Sequence, residues 1–217
     1  RKMHSGGDEV AEGAWTASPQ AKKLLESLPE ISDPKNLQTY FFSTLLDKLA
    51  DRDLEMHVWE EMVLLKDESG VYKPNPDFAG KNVVPYIWNN MFDYPDLGYQ
   101  LANMGYEVVL CNVSNFYFDL AYSNDPEEPG LYWAGFVMVR IDPAAKNNII
   151  GLEAQLWTET VKGPEMAEYY MFPKMLGFAE SAWAAERDWE KESDLKKMDQ
   201  KITKGWNEFA NRVGQTA

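Results

Sequence analysis

An acidic motif near the start of the sequence, His4-Ser5-Gly6-Gly7-Asp8-Glu9, contains the residues best suited to chemistry. Neighbouring carboxylates can share acid, base and electrostatic roles, but successive side chains of a β-strand point to opposite faces of the sheet. Asp8 and Glu9 can therefore act on one ligand only where a strand ends and its backbone turns. Gly6 and Gly7 permit the backbone angles of such a turn and a close ligand approach. The motif thus predicts a pair of functional carboxylates at a strand end.

Aromatic and polar clusters follow four further apolar segments, which we predict to be strands over residues 54–59, 83–88, 107–113 and 149–157. The clusters are Trp59-Glu60-Glu61, Trp88-Asn89-Asn90, the segment 114–119 and Trp157-Thr158-Glu159. In a (β/α)8 barrel the working residues lie at the carboxyl ends of several strands. Each Trp taken alone fits an ordinary core position equally well. The four similar strand ends together predict one pocket with aromatic walls.

Helical patterns alternate with these strands. Ser32-Asp33-Pro34 is a helix-start signal, and apolar residues follow it at helical spacing from Leu37 to Leu49. We predict further helices over residues 96–104, 164–185 and 189–213. The strands are too continuously apolar for a sheet with one exposed face. The alternation therefore predicts an α/β fold with a parallel sheet covered on both faces.

Composition narrows the class of protein. The 217 residues have a net charge of −14, which opposes binding to the phosphate backbone of nucleic acids. Apolar runs are shorter than the about 20 residues of a membrane-spanning helix, so we expect no span in this sequence. Two histidines and one cysteine have no zinc-site spacing, and no glycine-rich phosphate loop follows a strand. We therefore expect neither a metal nor a cofactor.

Several motifs together resemble the glycoside hydrolases of family 20, the β-N-acetylhexosaminidases. They are HSGGDE followed by GAWTASP, the Trp of HVWEE, the Trp of PYIWNN, NFYFDLAY with DPEEPGLYWAGF, and GLEAQLWTE. They occur in the family's order from residue 4 to about residue 185, with Ser5 in place of the usual aliphatic residue. The resemblance implies the C-terminal half, about strands 4 to 8, of a TIM-type (β/α)8 barrel. The first strands, and an arginine that holds sugar hydroxyls, are then expected outside these residues.

The resemblance also implies roles for individual residues. Glu9 matches the general acid and base, and Asp8 matches the carboxylate that orients the substrate's acetamido group. Tyr117 matches the tyrosine that donates a hydrogen bond to the acetamido oxygen. His4 belongs to the same motif and is expected to order the carboxylates rather than react.

Other residues match the sugar-binding positions of the family. Three indoles would enclose the acetamido methyl group, two carboxylates would bind sugar hydroxyls, and one Trp would border the leaving-group subsite. The three indoles are those of Trp59, Trp88 and Trp157, and the two carboxylates are those of Asp119 and Glu159. The Trp that would border the leaving-group subsite is Trp133. We expect His57 to be structural, and we expect Glu60 and Glu61 to support the site or to face solvent.

The resemblance implies a carbohydrate partner and an enzyme that removes terminal β-linked N-acetylhexosamine through an oxazolinium intermediate. It predicts a partial catalytic barrel over residues 1–187 and a helical extension of the same domain over residues 188–217. The alternative is an inactive sugar-binding fragment that needs the rest of the barrel or a second copy to cover its open sheet edges. Because members of this family are usually secreted, periplasmic or surface-attached, the resemblance implies one of these locations.

Overall fold

Five parallel strands form the main sheet in the computed structural model of the chain, in the order β1-β2-β5-β6-β7. The structure describes residues 1–11, 13–31, 33–67, 69–91, 94–121, 143–184 and 187–216. The strands are β1 (Lys2–His4), β2 (Glu55–Trp59), β3 (Leu64–Lys66), β4 (Tyr72–Pro74), β5 (Val83–Ile87), β6 (Val108–Leu110) and β7 (Ile149–Leu152). Each new strand of the main sheet pairs in parallel with the preceding one, as in a barrel segment. β3 and β4 form a separate antiparallel hairpin after β2.

Helices connect and follow the strands. They are α1 (Pro19–Glu26), α2 (Leu37–Ala50), α3 (Leu97–Asn103), α4 (Val113–Phe116), α5 (Pro164–Met171), α6 (Lys174–Trp183) and α7 (Leu195–Thr216). Short 3-10 segments cover Pro34–Asn36, Glu60–Val63, Pro76–Phe78 and Pro143–Asn148. α1 begins with Pro19 in its first turn, and its cap residue Ser18 accepts a hydrogen bond from the Ala21 amide. No helix among these described segments combines the length and apolarity needed to cross a membrane.

Alternate residues of each strand enter different layers. Met56 and Val58 of β2 belong to the main core, together with Val83 and Ile87 of β5. That core also contains buried residues of α2 and α3, among them Phe42, Leu46, Leu97 and Leu101. The other face of the sheet carries a second cluster, formed by Val84, Val109 and Cys111 with Trp59, Tyr86 and Trp88 packed against it. The period of two therefore places the helices on one face of the sheet and Trp59, Tyr86 and Trp88 on the other.

The structure corrects several predicted boundaries. Three of the predicted strands end earlier than predicted, at Ile87, Leu110 and Leu152, and the residues beyond them belong to strand-end loops or, at Val113, to α4. The predicted helix over residues 164–185 is two helices, because Pro173 has no amide hydrogen and disfavours helical angles at Phe172. The last helix begins at Leu195 rather than 189, since the Asp194 carboxylate accepts hydrogen bonds from the amides of Lys196 and Lys197.

The described residues divide into two compact units, Arg1–Lys174 and Met175–Ala217. The first unit holds both sheets and α1 to α5. Within the second unit, Arg212 of α7 forms an ion pair with Glu180 of α6, and the ring of Trp206 lies against Gly177. The predicted boundary between residues 187 and 188 stays a prediction.

Candidate active site

The Gly6-Gly7 segment turns the chain sharply after β1. Gly6 has a φ of 69° and Gly7 a φ of 105°, and Glu9 is also left-handed with a φ of 48°. The carboxylates thus lie in the loop beyond β1, which ends at His4. A side chain at position 7 would have its Cβ 2.3 Å from Cγ of Met62, so Gly7 allows both the turn and the close packing. Half-buried Asp8 and exposed Glu9 follow on this turn.

Several hydrogen bonds hold the first part of this loop. The Gly6 amide donates to Nδ1 of His4 at 3.2 Å, and the Trp59 amide donates to the Gly6 carbonyl at 3.1 Å. Nε2 of Gln38, on α2, donates to the Gly7 carbonyl at 2.9 Å. Burial lowers the pKa of His4, and an unprotonated Nδ1 is the state that can accept the Gly6 hydrogen bond. His4 therefore holds the start of the loop that carries Asp8 and Glu9, and the negative charge of Asp8 acts on its imidazole.

Two glutamates after β2 continue this framework. The Glu9 amide donates to both carboxylate oxygens of Glu61, each at 3.1 Å. Glu60 is fully buried and accepts hydrogen bonds from the amides of Trp88 at 3.2 Å and Asn89 at 3.0 Å. Burial raises the pKa of Glu60 to about 8, against the opposing effect of those amides. Both glutamates thus bind backbone amides of neighbouring strand-end loops.

Aromatic rings from three strand ends meet beside this framework. The ring centroids of Trp59 and Trp157 are 6.3 Å apart, and those of Tyr117 and Trp157 are 5.9 Å apart. Trp157 is 38% exposed, so part of its ring is open to a ligand. The Trp59 ring also meets the edges of His4 and Tyr86, with centroids 5.1 Å and 6.2 Å away. These rings form an open aromatic wall.

Polar groups occupy the same wall. Oδ1 of Asp119 accepts a hydrogen bond from the Trp157 amide at 3.2 Å, and burial raises the pKa of Asp119. Burial also raises the pKa of Tyr117, which keeps its hydroxyl protonated and able to donate. Nζ of Lys174 donates to the carbonyl of Phe118 at 2.8 Å and to that of Leu120. The Asp119 backbone is therefore held on both sides.

Tyr117 and the predicted sugar-binding residues fall into three groups. The structure brings Trp59, Tyr117, Asp119 and Trp157 together, and it places Trp88 in the cluster that Trp59 also contacts. Within the described residues, the buried Nε1 of Trp88 has no hydrogen-bond partner. Exposed Glu159 interacts electrostatically with Asp119. Trp133 lies outside the described residues.

Sequence reasoning missed the specific contacts of Gln38 and Glu61. Gln38 is one of many polar residues on an amphipathic helix, and no local pattern connects it with Gly7. The sequence does show the Glu60-Glu61 pair after a predicted strand, and we expected these residues either to support the site or to face solvent. The partner of each carboxylate depends on which strands are neighbours, which the local sequence does not specify.

Comparison with known proteins places this geometry in a family. The model of the glycosyl hydrolase family 20 catalytic domain matches residues 1–186. The chain belongs to glycosyl hydrolase family 20. Among curated relatives, a beta-hexosaminidase from Vibrio vulnificus is 28% identical in an alignment of 222 positions, gaps included, which covers 87% of this chain and 25% of that protein.

Solved family 20 structures share the fold. An exo-β-N-acetylglucosaminidase from Vibrio harveyi, in complex with N-acetylglucosamine, has a TM-score of 0.67 at 27% identity, covering 98% of this chain and 32% of that one. A β-hexosaminidase from Streptomyces plicatus, in complex with Thio-NAglucal, has a TM-score of 0.55 at 25% identity, covering 88% and 34%. The chain therefore spans about a quarter to a third of these relatives. The α/β fold with its parallel sheet, predicted from the sequence, is confirmed.

Proposed function

We propose that the protein containing this chain is a β-N-acetylhexosaminidase that removes terminal β-linked N-acetylhexosamine with retention of configuration. The observation that carries this proposal is the position of Asp8 and Glu9 on a glycine turn, in a sheet whose other strand ends supply the wall of Trp59, Tyr117 and Trp157. A carboxylic acid near an open aromatic wall suits cleavage of a glycosidic bond. Membership of the family supports the same reaction.

In the first step the acetamido oxygen of the substrate attacks the anomeric carbon. The bond from that carbon to the leaving oxygen breaks, and the Glu9 carboxyl group gives its proton to that oxygen. The product of this step is an oxazolinium ion joined within the sugar. Asp8 accepts a hydrogen bond from the acetamido N–H, and its charge stabilises the positive charge that develops on the group.

In the second step water opens the oxazolinium ion. Glu9, now a carboxylate, takes a proton from the water while the water oxygen bonds to the anomeric carbon, so the enzyme returns to its starting state. Two displacements at one carbon retain its configuration. The acetamido group replaces the enzyme nucleophile of other retaining glycosidases, an exception that family 20 is known to make.

The aromatic wall would hold the acetamido group in position to attack. Trp59, Trp88 and Trp157 enclose its methyl group, and the Tyr117 hydroxyl donates to its oxygen. Such enclosure favours the reactive geometry of an intramolecular nucleophile. Asp119 and Glu159 accept hydrogen bonds from sugar hydroxyls, and Trp133 borders the leaving group.

The test compares substrates that differ only in the acetamido group, using the complete gene product that contains this chain. We expect hydrolysis of nitrophenyl β-N-acetylglucosaminide and no measurable hydrolysis of the matching β-glucoside. A thiazoline analogue of the cyclised intermediate should bind at least about 100-fold tighter than substrate. Similar rates on both glycosides would contradict the mechanism. Thiazoline binding without hydrolysis would favour the alternative of an inactive sugar-binding protein.

A further inference from the structure

The Glu60–Val63 turn after β2 sends two carboxylates in opposite directions along the sheet. β2 lies between β1 and β5. Glu61 binds the amide of Glu9 in the loop after β1, and Glu60 binds amides in the loop after β5. One short turn therefore connects three consecutive strand ends. Only the contact of Glu61 reaches the backbone of the proposed acid.

The Glu61 contact restrains the loop at Glu9, whose backbone conformation is unfavourable for a residue with a side chain. Glu9 has a φ of 48°, and a residue with a side chain occupies this left-handed region at a cost of roughly 1 to 2 kcal/mol. The other anchors described above hold the Gly6 and Gly7 backbone. Both oxygens of Glu61 lie 3.1 Å from the Glu9 nitrogen, and a hydrogen bond to an ionised carboxylate is stronger than one between neutral groups.

Burial and neighbouring charges both act on the Glu61 carboxyl group. Glu61 is half-buried, and burial is the main cause that raises its pKa. The negative charges of Asp8 and Glu9 act in the same direction, whereas the Glu9 amide and the positive charge of Lys66 act against it. The protein thus keeps a third carboxylate beside an acidic pair. A neutral side chain could also accept the hydrogen bond of the Glu9 amide. A structural role alone therefore does not explain why a carboxylate occupies this position.

We propose that Glu61 is a positioning residue that holds the backbone of Glu9 and so aims its carboxyl group at the leaving oxygen. The inference rests on the proposed function of Glu9 as the acid. In this role Glu61 acts through the backbone of Glu9 and not on the substrate directly. Its loss should therefore impair proton donation and leave the acetamido pocket in place.

The experiment measures Glu61→Ala and Glu61→Gln variants of the complete gene product on two N-acetylglucosaminides. One has a poor leaving group, such as methyl or a second sugar, and the other has dinitrophenol, which departs with little protonation. For Glu61→Ala we expect kcat on the poor leaving group to fall about 100-fold, the loss that a displacement of about 1 Å can cause. The loss of kcat/KM on the dinitrophenyl substrate, which reports the reaction only as far as the first cleavage, should be at least about tenfold smaller, with KM for the poor leaving group little changed.

Glu61→Gln keeps the shape and one acceptor oxygen and should show an intermediate loss with the same dependence on leaving group. It also keeps the proposal testable if the alanine variant does not fold. The matched control is Asp67→Ala, which removes a carboxylate that accepts the amides of Ser69 and Val71 in the hairpin of β3 and β4. The control should keep the wild-type ratio of rates on the two substrates.

Two failures can be told apart. A wild-type protein that hydrolyses neither substrate contradicts the proposed function. An active wild type whose Glu61 variants lose the same factor on both substrates, or lose nothing, overturns the positioning role alone. Thiazoline affinity provides a second readout, because it should stay within about fivefold of wild type if the acetamido pocket is intact.

Discussion

At the scale of single residues, the carboxyl group of Glu9 is the one that the proposed chemistry needs in two protonation states. Glu9→Gln removes the proton donor and keeps the size of the side chain. We expect about a 1000-fold loss of kcat/KM on a substrate with a poor leaving group, since general acid catalysis contributes about 100- to 10,000-fold. A dinitrophenyl substrate should lose much less in the first step. Burst kinetics on that substrate separate cleavage from the later attack of water.

The control for this substitution is Glu26→Gln, at the exposed end of α1. It makes the same chemical change away from the strand ends, so its rates should equal those of wild type. If Glu9→Gln lowered the first step equally on both substrates, Glu9 would be no acid. Its neighbour Asp8 would then be the next carboxylate to examine.

Gly7 illustrates how far the sequence predicts a single residue. The Gly6-Gly7 pair predicted a turn before the carboxylates, and both glycines have positive φ. The sequence could not predict that Gly7 also faces the side chain of Met62, 2.3 Å from where a Cβ would lie. The first property is local, because φ depends on the residue itself. The second depends on the pairing of β1 with β2, which brings together residues that are far apart in the chain.

At the scale of elements, Glu60 connects the end of β2 to the loop after β5 and makes stability depend on pH. Burial raises its pKa in the folded protein from an ordinary 4.5 to about 8. Between these values the folded protein keeps a proton that the unfolded chain releases. Stability should therefore fall as pH rises from about 5 to about 8, by on the order of 4 kcal/mol from this group.

The Glu60→Gln variant tests this pH dependence, because glutamine resembles the protonated acid and does not titrate. Relative to wild type, the variant should be similarly stable at pH 5 and more stable at pH 8.5. Urea unfolding followed by tryptophan fluorescence measures the free energy of unfolding at each pH. Glu107→Gln, at an exposed glutamate before β6, is the control. A difference between Glu60→Gln and wild type that stays constant with pH would contradict the prediction.

Predicted strands were more accurate at their starts than at their ends. The strand predicted over residues 83–88 begins at Val83 as observed but ends at Ile87. Trp88 continues the apolar pattern because it packs against the second cluster of Val84, Val109 and Cys111, although it lies beyond the paired residues of β5. Apolar patterning reports burial, whereas a strand also needs a paired neighbour. Residues of a buried strand-end site are therefore easily mistaken for strand.

At the scale of the whole molecule, the described sheet has two edge strands, β1 and β7, each paired on one side. Exposed Met3 lies on β1 and exposed Ile150 on β7. Edge strands of this kind favour pairing with another chain. We expect the 217-residue chain, expressed alone, to form dimers or larger assemblies, and its net charge of −14 should make them stronger in salt.

Light scattering at 0.05 M and about 0.5 M salt measures this association, since the screening length falls from above 10 Å to below it. Met3→Lys with Ile150→Lys should shift the chain toward monomer. The control, Leu24→Lys with Leu195→Lys, adds the same charge at exposed helical positions and should associate more than the edge variant. A wild-type chain that stays monomeric at both salt concentrations would contradict the prediction.

The hydrogen bonds of Lys174 determine the shortest segment of this chain that could be grafted onto another barrel with the site intact. Glu159 is the last side chain of the proposed site along the sequence. The site residues alone would therefore allow a segment grafted onto another barrel to end soon after Glu159. Such a graft would lose the ammonium group that holds the carbonyls of Phe118 and Leu120 on either side of Asp119. The grafted segment must therefore extend through α5 to Lys174. Its length is set by the hydrogen bonds of a residue that lies outside the sequence motifs named above.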